Sequence, residues 1–103
     1  MKNKNDKRYA LVLDKSDNTA TLLADAGSGD IVILKGIDGQ IQLSEAVAYG
    51  HKTALRAIRK EEDIIKYGQC IGRATKDIAP GEWIHIHNMS SVLDQTFNKR
   101  IEM

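Results

Sequence analysis

Asp77-Ile78-Ala79-Pro80-Gly81-Glu82-Trp83-Ile84 decides the reading of the fold, because its outline recurs twice earlier in the chain. Asp25-Ala26-Gly27-Ser28-Gly29-Asp30-Ile31-Val32 and Ala57-Ile58-Arg59-Lys60-Glu61-Glu62-Asp63-Ile64 align with it. Each window has a small or apolar second residue, a tight turn, an acidic residue and then an apolar strand residue. Gly29 and Gly81 permit a positive φ, the carboxylate can accept hydrogen bonds from turn amides, and the apolar residue two positions on points inward. A unit of turn then strand, repeated, predicts an architecture of short, sharply redirected strands.

The same grammar extends outward. Tyr9-Ala10-Leu11-Val12-Leu13 is a short apolar run closed by the polar cluster Asp14-Lys15-Ser16-Asp17-Asn18, and Thr19 to Leu23 returns as a second strand. Ile31 to Leu34 gives a third, and Asp38-Gly39 is a hairpin-turn signal before Ile41 to Leu43. Between Gly50 and Ile58 the spacing of Ala54, Leu55 and Ile58 predicts a short helix. Near the end, Ser91 and Asp94 can form a capping box, with Leu93, Phe97 and Ile101 on one helical face. The expected organisation is a flexible start over 1–8, one mostly β domain over 9–89, and a tail or short amphipathic helix over 90–103.

Composition narrows the function. A chain of 103 residues with 42% hydrophobic and 28% charged residues suits one small globular domain. With 15 basic and 14 acidic residues and few aromatics, no nucleic-acid-binding field is expected. The apolar runs are far too short for a membrane span, and the basic start is not followed by the apolar core of a secretory signal, so a cytoplasmic location is expected. A single cysteine, Cys70, cannot form an internal disulfide or a multi-cysteine zinc site, and is expected to be a small buried hydrophobe. There is no Ser/His/Asp set, and Gly27-Ser28-Gly29 is too short for a P-loop and lacks its lysine.

Three stretches carry a resemblance. Gly50-His51-Lys52-Thr53-Ala54-Leu55-Arg56-Ala57-Ile58, Ile65-Lys66-Tyr67-Gly68-Gln69-Cys70-Ile71-Gly72-Arg73-Ala74 and Ile78-Ala79-Pro80-Gly81-Glu82-Trp83-Ile84-His85-Ile86-His87-Asn88 resemble, in order and spacing, the N-terminal domain of altronate and galactarate dehydratases. Asp17-Asn18 followed by Thr19-Ala20 fits that family's opening. The resemblance implies a SAF-type β-clip. It also implies removal of water from a hexonate to give a 2-keto-3-deoxy acid, with a divalent metal, ferrous iron by preference, in the complete enzyme. Single-chain members continue past the position of Asn88 into a much larger catalytic region, so either this chain is a small subunit whose expected partner is a large dehydratase subunit, or it is the N-terminal domain cut from such a longer chain; the expected substrate is an anionic sugar acid. Assembly into a homo-oligomer stays open. Small subunits of sulfolactate sulfo-lyases are similar too, and a non-catalytic assembly module or a carbohydrate-binding module are the competing readings.

Dehydrating a sugar acid requires charge to be stabilised on the carboxylate and on the departing oxygen, which a metal can do. If Trp83 to Asn88 is one strand, Trp83, His85 and His87 share a face, and His51 is the remaining histidine that can complete a metal set. His51 and Lys52 are the catalytic candidates, the first as a proton carrier and the second as a fixed cation for a substrate carboxylate, with Asn88 a second substrate contact. The plainer alternatives are half-exposed strand histidines at 85 and 87, a capping or core His51, and a solvated Lys52. Asp17 and Asn18 read as turn formers, Tyr67 and Trp83 as core or interface aromatics.

Overall fold

The structure is a computed structural model that describes residues 7–91. The strands are β1 (Arg8–Leu11), β2 (Thr19–Leu22), β3 (Ile31–Lys35), β4 (Gln40–Gln42), β5 (Lys52–Ala54), β6 (Asp63–Lys66), β7 (Gln69–Ala74), β8 (Trp83–Ile84) and β9 (Met89–Ser91). They form a six-stranded sheet in the order β4-β3-β1-β2-β5-β8 and a three-stranded sheet in the order β6-β7-β9. The expected strands at the start are therefore present, and β3 and β4 pair as an antiparallel hairpin around the Asp38-Gly39 turn. Among the described residues there is no helix, and none is long and apolar enough to cross a membrane.

The turn-and-strand unit occurs four times, not three. Ala26 bridges Val47, and Ile58 bridges Ile78, so the units interlock as two pairs. Three residues beyond each bridging residue the backbone takes a positive φ, at Gly29 (85°), Gly50 (81°), Glu61 (74°) and Gly81 (81°). Each of these residues donates its amide to the partner unit's strand end: Gly29 to Leu43 O, Gly50 to Leu22 O, Glu61 to Ala74 O and Gly81 to Ala54 O, all at 2.8 Å. Asp25 Oδ1 accepts from Tyr49 N in the first pair (2.8 Å), and Asp77 Oδ1 accepts from Lys60 N in the second (2.9 Å).

This pairing overturns the expected helix over 50–58. Ala54, Leu55 and Ile58 are buried or part-buried, but by tertiary context: Ala54 and Ile58 enter one core cluster while Leu55 packs on the other. Gly50 and His51 close a turn and Lys52–Ala54 is strand β5. Two hydrophobic clusters result. Ala10, Val12, Leu22, Val32, Leu43 and Val47 anchor the first; Ala54, Ile58, Ile64, Ala74, Ile78 and Ile84 form the second.

Asp17, Asn18 and Thr19 join the two sheets. Asp17 Oδ2 accepts from the amides of Leu13 (3.1 Å) and Asp14 (3.2 Å), and its Oδ1 accepts from Gly68 N (2.7 Å). Asn18, 1% exposed, donates from Nδ2 to Asp63 O (2.9 Å) and accepts at Oδ1 from Ile65 N (2.7 Å). Its amide thus replaces a neighbouring strand along the free edge of β6. These residues do form a turn, as expected, but their side chains fasten β6. Asn18→Ala removes both of these side-chain bonds while the Asn18 amide and the Thr19 hydroxyl still donate to Ile65 O, and is expected to cost about 2 kcal/mol, read as a lower denaturant midpoint at unchanged slope.

Two further differences concern single residues. Arg8 is the first residue of β1 and its Nε donates to Asp25 O (2.7 Å); Lys7 before it is exposed and outside any strand, and residues 1–6 of the expected flexible start lie outside the described residues. Cys70 is exposed, because the register of β7 against β6 shifts between Ile64 and Ile65, and Ile71, left unpaired there, takes the place against the second core cluster. Ser91 ends β9, while Leu93, Phe97 and Ile101 of the expected terminal helix lie outside the described residues.

Candidate functional site

The four turns share one chemistry at three of their corners. In each, the amide of the residue after the positive-φ residue donates back to close the turn: Asp30 to Gly27 O, His51 to Ala48 O, Glu62 to Arg59 O and Glu82 to Ala79 O. In three of them the same residue's carboxylate also accepts from the turn amide: Asp30 from Gly27 (2.7 Å), Glu62 from Arg59 (3.1 Å) and Glu82 from Ala79 (3.1 Å). The second turn holds His51 at this corner. Its imidazole is turned instead towards Trp83, whose indole Nε1–H donates to His51 Nδ1 at 3.1 Å.

Trp83 is the hub of an aromatic group. It lies in β8 with Thr53 of β5 as its Cα partner, and its own amide donates to Glu45 Oε2 (3.0 Å). The His85 ring stacks on it with centroids 5.0 Å apart and planes at 22°; His87 lies at 5.1 Å and His51 at 5.6 Å. His51 and His85 are themselves 5.3 Å apart. The three histidines are therefore brought together, but not by a continuous strand. β8 ends at Ile84, and residues 85–88 form a turn closed by Asn88 N to His85 O (3.1 Å).

Asn88 makes that turn. Fully buried, it accepts at Oδ1 from His85 N (2.9 Å) and donates from Nδ2 to Trp83 O (2.8 Å). Both ends of its amide are committed to the loop that carries His85 and His87, so it positions these residues and its side chain is not presented to a substrate. Beside Trp83 opens a cleft of about 330 Å³ floored by Ala26, Ala46, Val47 and Ala48, with Asp25 at its edge. Tyr49, 67% exposed, and Ile86, 83% exposed, belong to the same two turns as His51 and His85.

Lys52 goes elsewhere. Direct pairing sets Lys52 opposite Ile84 and Thr21, whereas Trp83 sits opposite Thr53; by strand alternation Lys52 emerges on the face away from the ring cluster. The adjacent pair His51-Lys52 therefore serves two sites. Burial, and then the nearby charge of Lys66, hold the Lys52 ammonium below the usual lysine range.

As for a metal, the fit is incomplete. His51 Nδ1 is occupied by Trp83, the His85 ring is stacked on the indole, and among the described residues no group of three His, Cys, Asp or Glu side chains is arranged to hold an ion. Any ion reached by His51, His85 or His87 needs further donors from outside the described residues.

Trp83 as hub and Asn88 as loop clamp were not legible as such. A signal for His51 did exist: Ala46-Val47-Ala48-Tyr49-Gly50-His51-Lys52-Thr53 aligns as a fourth unit once histidine is allowed in the acid's place.

Comparison with known proteins gives the family. Residues 8–92 match the altronate/galactarate dehydratase SAF domain. The chain is 37% identical over 81 residues to altronate dehydratase of Bacillus subtilis, covering 79% of this chain and 16% of that protein. With altronate dehydratase of Escherichia coli it shares 47% identity over 73 residues, covering 70% of this chain and 14% of that one. It is 38% identical over 52 residues to the (2R)-sulfolactate sulfo-lyase subunit alpha of Chromohalobacter salexigens, covering 50% of this chain and 55% of that subunit. The chain thus spans about a sixth of the length of the dehydratases it matches.

Proposed function

This chain belongs to the altronate/galactarate dehydratase SAF-domain family, and on that premise we propose that it is the small module of a cytoplasmic hydro-lyase, converting altronate or a related hexonate to a 2-keto-3-deoxy acid together with a large catalytic partner. The observation that carries the reading is His51. Three sister turns keep a carboxylate at its position for a structural bond, and this one gives that bond up for an imidazole held by Trp83 beside a cleft.

The chemistry removes a proton next to the carboxylate, expels the neighbouring hydroxyl as water, and lets the resulting enol become the 2-keto acid. Because Nδ1 accepts from the indole, the neutral His51 ring carries its proton on Nε2. From there it can donate a hydrogen bond to the departing hydroxyl, while a base of the large partner takes the proton next to the carboxylate and that proton leaves with the hydroxyl as water. Stacking and the Asn88 clamp fix His85 and His87 around it. A divalent ion, with ferrous iron the first expectation, would stabilise charge on the substrate oxygens; with both His51 nitrogens engaged, His85 and His87 are the residues of this chain that would hold it, with the remaining donors from the partner.

A second reading has its own support. The sulfo-lyase alpha subunit is a short chain of which this one covers 55%, so sulfite is the alternative leaving group. Mixing the purified chain with a large dehydratase chain, and following 2-keto acid formation from altronate and sulfite release from sulfolactate, separates the two. The proposal expects altronate turnover only when both chains are present. Full activity of either chain alone contradicts it.

A further inference from the structure

Lys52 sits in a row of directly paired residues, Leu11, Thr21, Lys52 and Ile84, that crosses four strands of the larger sheet. Two residues before Thr21 on the same face, the Thr19 hydroxyl donates to Ile65 O (3.0 Å), which ties the end of β6, where Lys66 lies, to β2. Lys66 Nζ lies 5.0 Å from the Tyr67 ring centroid. Lys52 is half-buried, and among the described residues no carboxylate pairs with it. That is costly for an ammonium facing a second cation. The charge of Lys66 is indeed felt at Lys52, after burial itself. Beside it, Thr21 Oγ1 is, among the described residues, the one buried side-chain polar atom with no hydrogen-bond partner.

We propose that Lys52, Lys66 and Thr21 form a seat for a carboxylate supplied by another molecule, on the face of the sheet opposite the Trp83 cluster. Two ammonium groups and a hydroxyl match the two oxygens and the charge of a carboxylate. Lysine side chains are long and flexible, so drawing Lys52 towards the anion uncovers the hydroxyl beside it. The carboxylate comes either from the sugar acid or from an Asp or Glu of the large partner. The proposal deepens the dehydratase reading by assigning an anion site separate from His51, and its test does not depend on turnover.

The test is a titration of the full chain, with lysine side chains labelled for NMR, against acetate, altronate, the uncharged polyol altritol and inorganic phosphate. Acetate and altronate are expected to shift the Lys52 and Lys66 signals, and altritol to leave them unmoved. Lys66→Gln weakens carboxylate binding about tenfold, and Thr21→Val about threefold without lowering the melting temperature, because valine removes an unpaired hydroxyl at constant shape. Altronate binding tighter than acetate identifies the sugar acid as the source; equal binding identifies a protein carboxylate. No shift with either, or phosphate binding more tightly than both, overturns the seat. Turnover in the two-chain enzyme without a carboxylate shift sinks the seat alone, and a carboxylate shift without turnover sinks the dehydratase reading alone.

Discussion

Gly36→Ala is expected to lower the melting temperature by roughly 20 °C, the largest stability effect of any single substitution discussed for this chain. Gly36 lies in the loop between β3 and β4 at φ +103°, a conformation that disfavours a Cβ, and a Cβ built there would stand 1.7 Å from Val12 O and 2.9 Å from Val12 C. The obstacle is main chain, and that main chain is itself fixed: Val12 N donates to Lys35 O at 2.8 Å, and Val12 is fully buried in the first core cluster. Relief requires the hairpin to move away from β1, so backbone strain and lost packing add to roughly 3–4 kcal/mol. That is a large part of the stability of a domain this size. Gly29→Ala is the matched control. It also has positive φ (+85°), but nothing lies within 4 Å of its Cβ, so only the conformational cost of about 1 kcal/mol applies. Thermal unfolding followed by circular dichroism checks both; equal shifts would mean that the approach to Val12 does not matter.

The second large effect concerns function. In a reconstituted two-chain enzyme, His51→Ala is expected to lower kcat/KM by about a hundredfold, the range for loss of a proton-handling group. Complex formation should persist, because His51 supports no core cluster and its backbone bonds to Ala48 and Leu22 survive the substitution. Trp83→Phe keeps the ring that packs on the first cluster but loses the indole N–H that holds His51 Nδ1. An intermediate loss of about tenfold is expected, since the ring is then free to carry its proton on either nitrogen. Normal turnover by the His51→Ala complex would assign this chain to assembly alone.

Much of the architecture was legible because the turns announce themselves. Asp14 to Asn18, Gly27 to Asp30 and Asp38-Gly39 are polar or glycine-containing breaks between short apolar runs, and each falls at a strand boundary. Alignment of three units worked for a physical reason: Asp30, Glu62 and Glu82 make the same side-chain bond, so the acid is a mark of the turn itself. Where that mark was replaced, at His51, the unit was not recognised and chance helical spacing of Ala54, Leu55 and Ile58 took its place. Local periodicity fails here because the three residues serve two different clusters across the clip.

The site was half legible. His51, His85 and His87 were identified as a group, and they do gather, but a period of two along an assumed strand is not what gathers them. A buried amide, Asn88, bends the chain after Ile84, and a polar residue's choice between substrate and its own backbone depends on tertiary packing. Likewise His51 and Lys52, neighbours in sequence, part to opposite faces because β5 is a strand and not a helix.

If His51 has exchanged a structural duty for a chemical one, His51→Glu should separate the two. Glutamate restores at this corner the residue type that Glu62 and Glu82 use to cap their own turns. Thermal unfolding of the variant chain and sugar-acid turnover of the reconstituted enzyme are measured side by side. The account predicts a melting temperature equal to or above that of the parent, with kcat/KM reduced by about a hundredfold or more. A His51→Glu enzyme that turns over at the parental rate contradicts it.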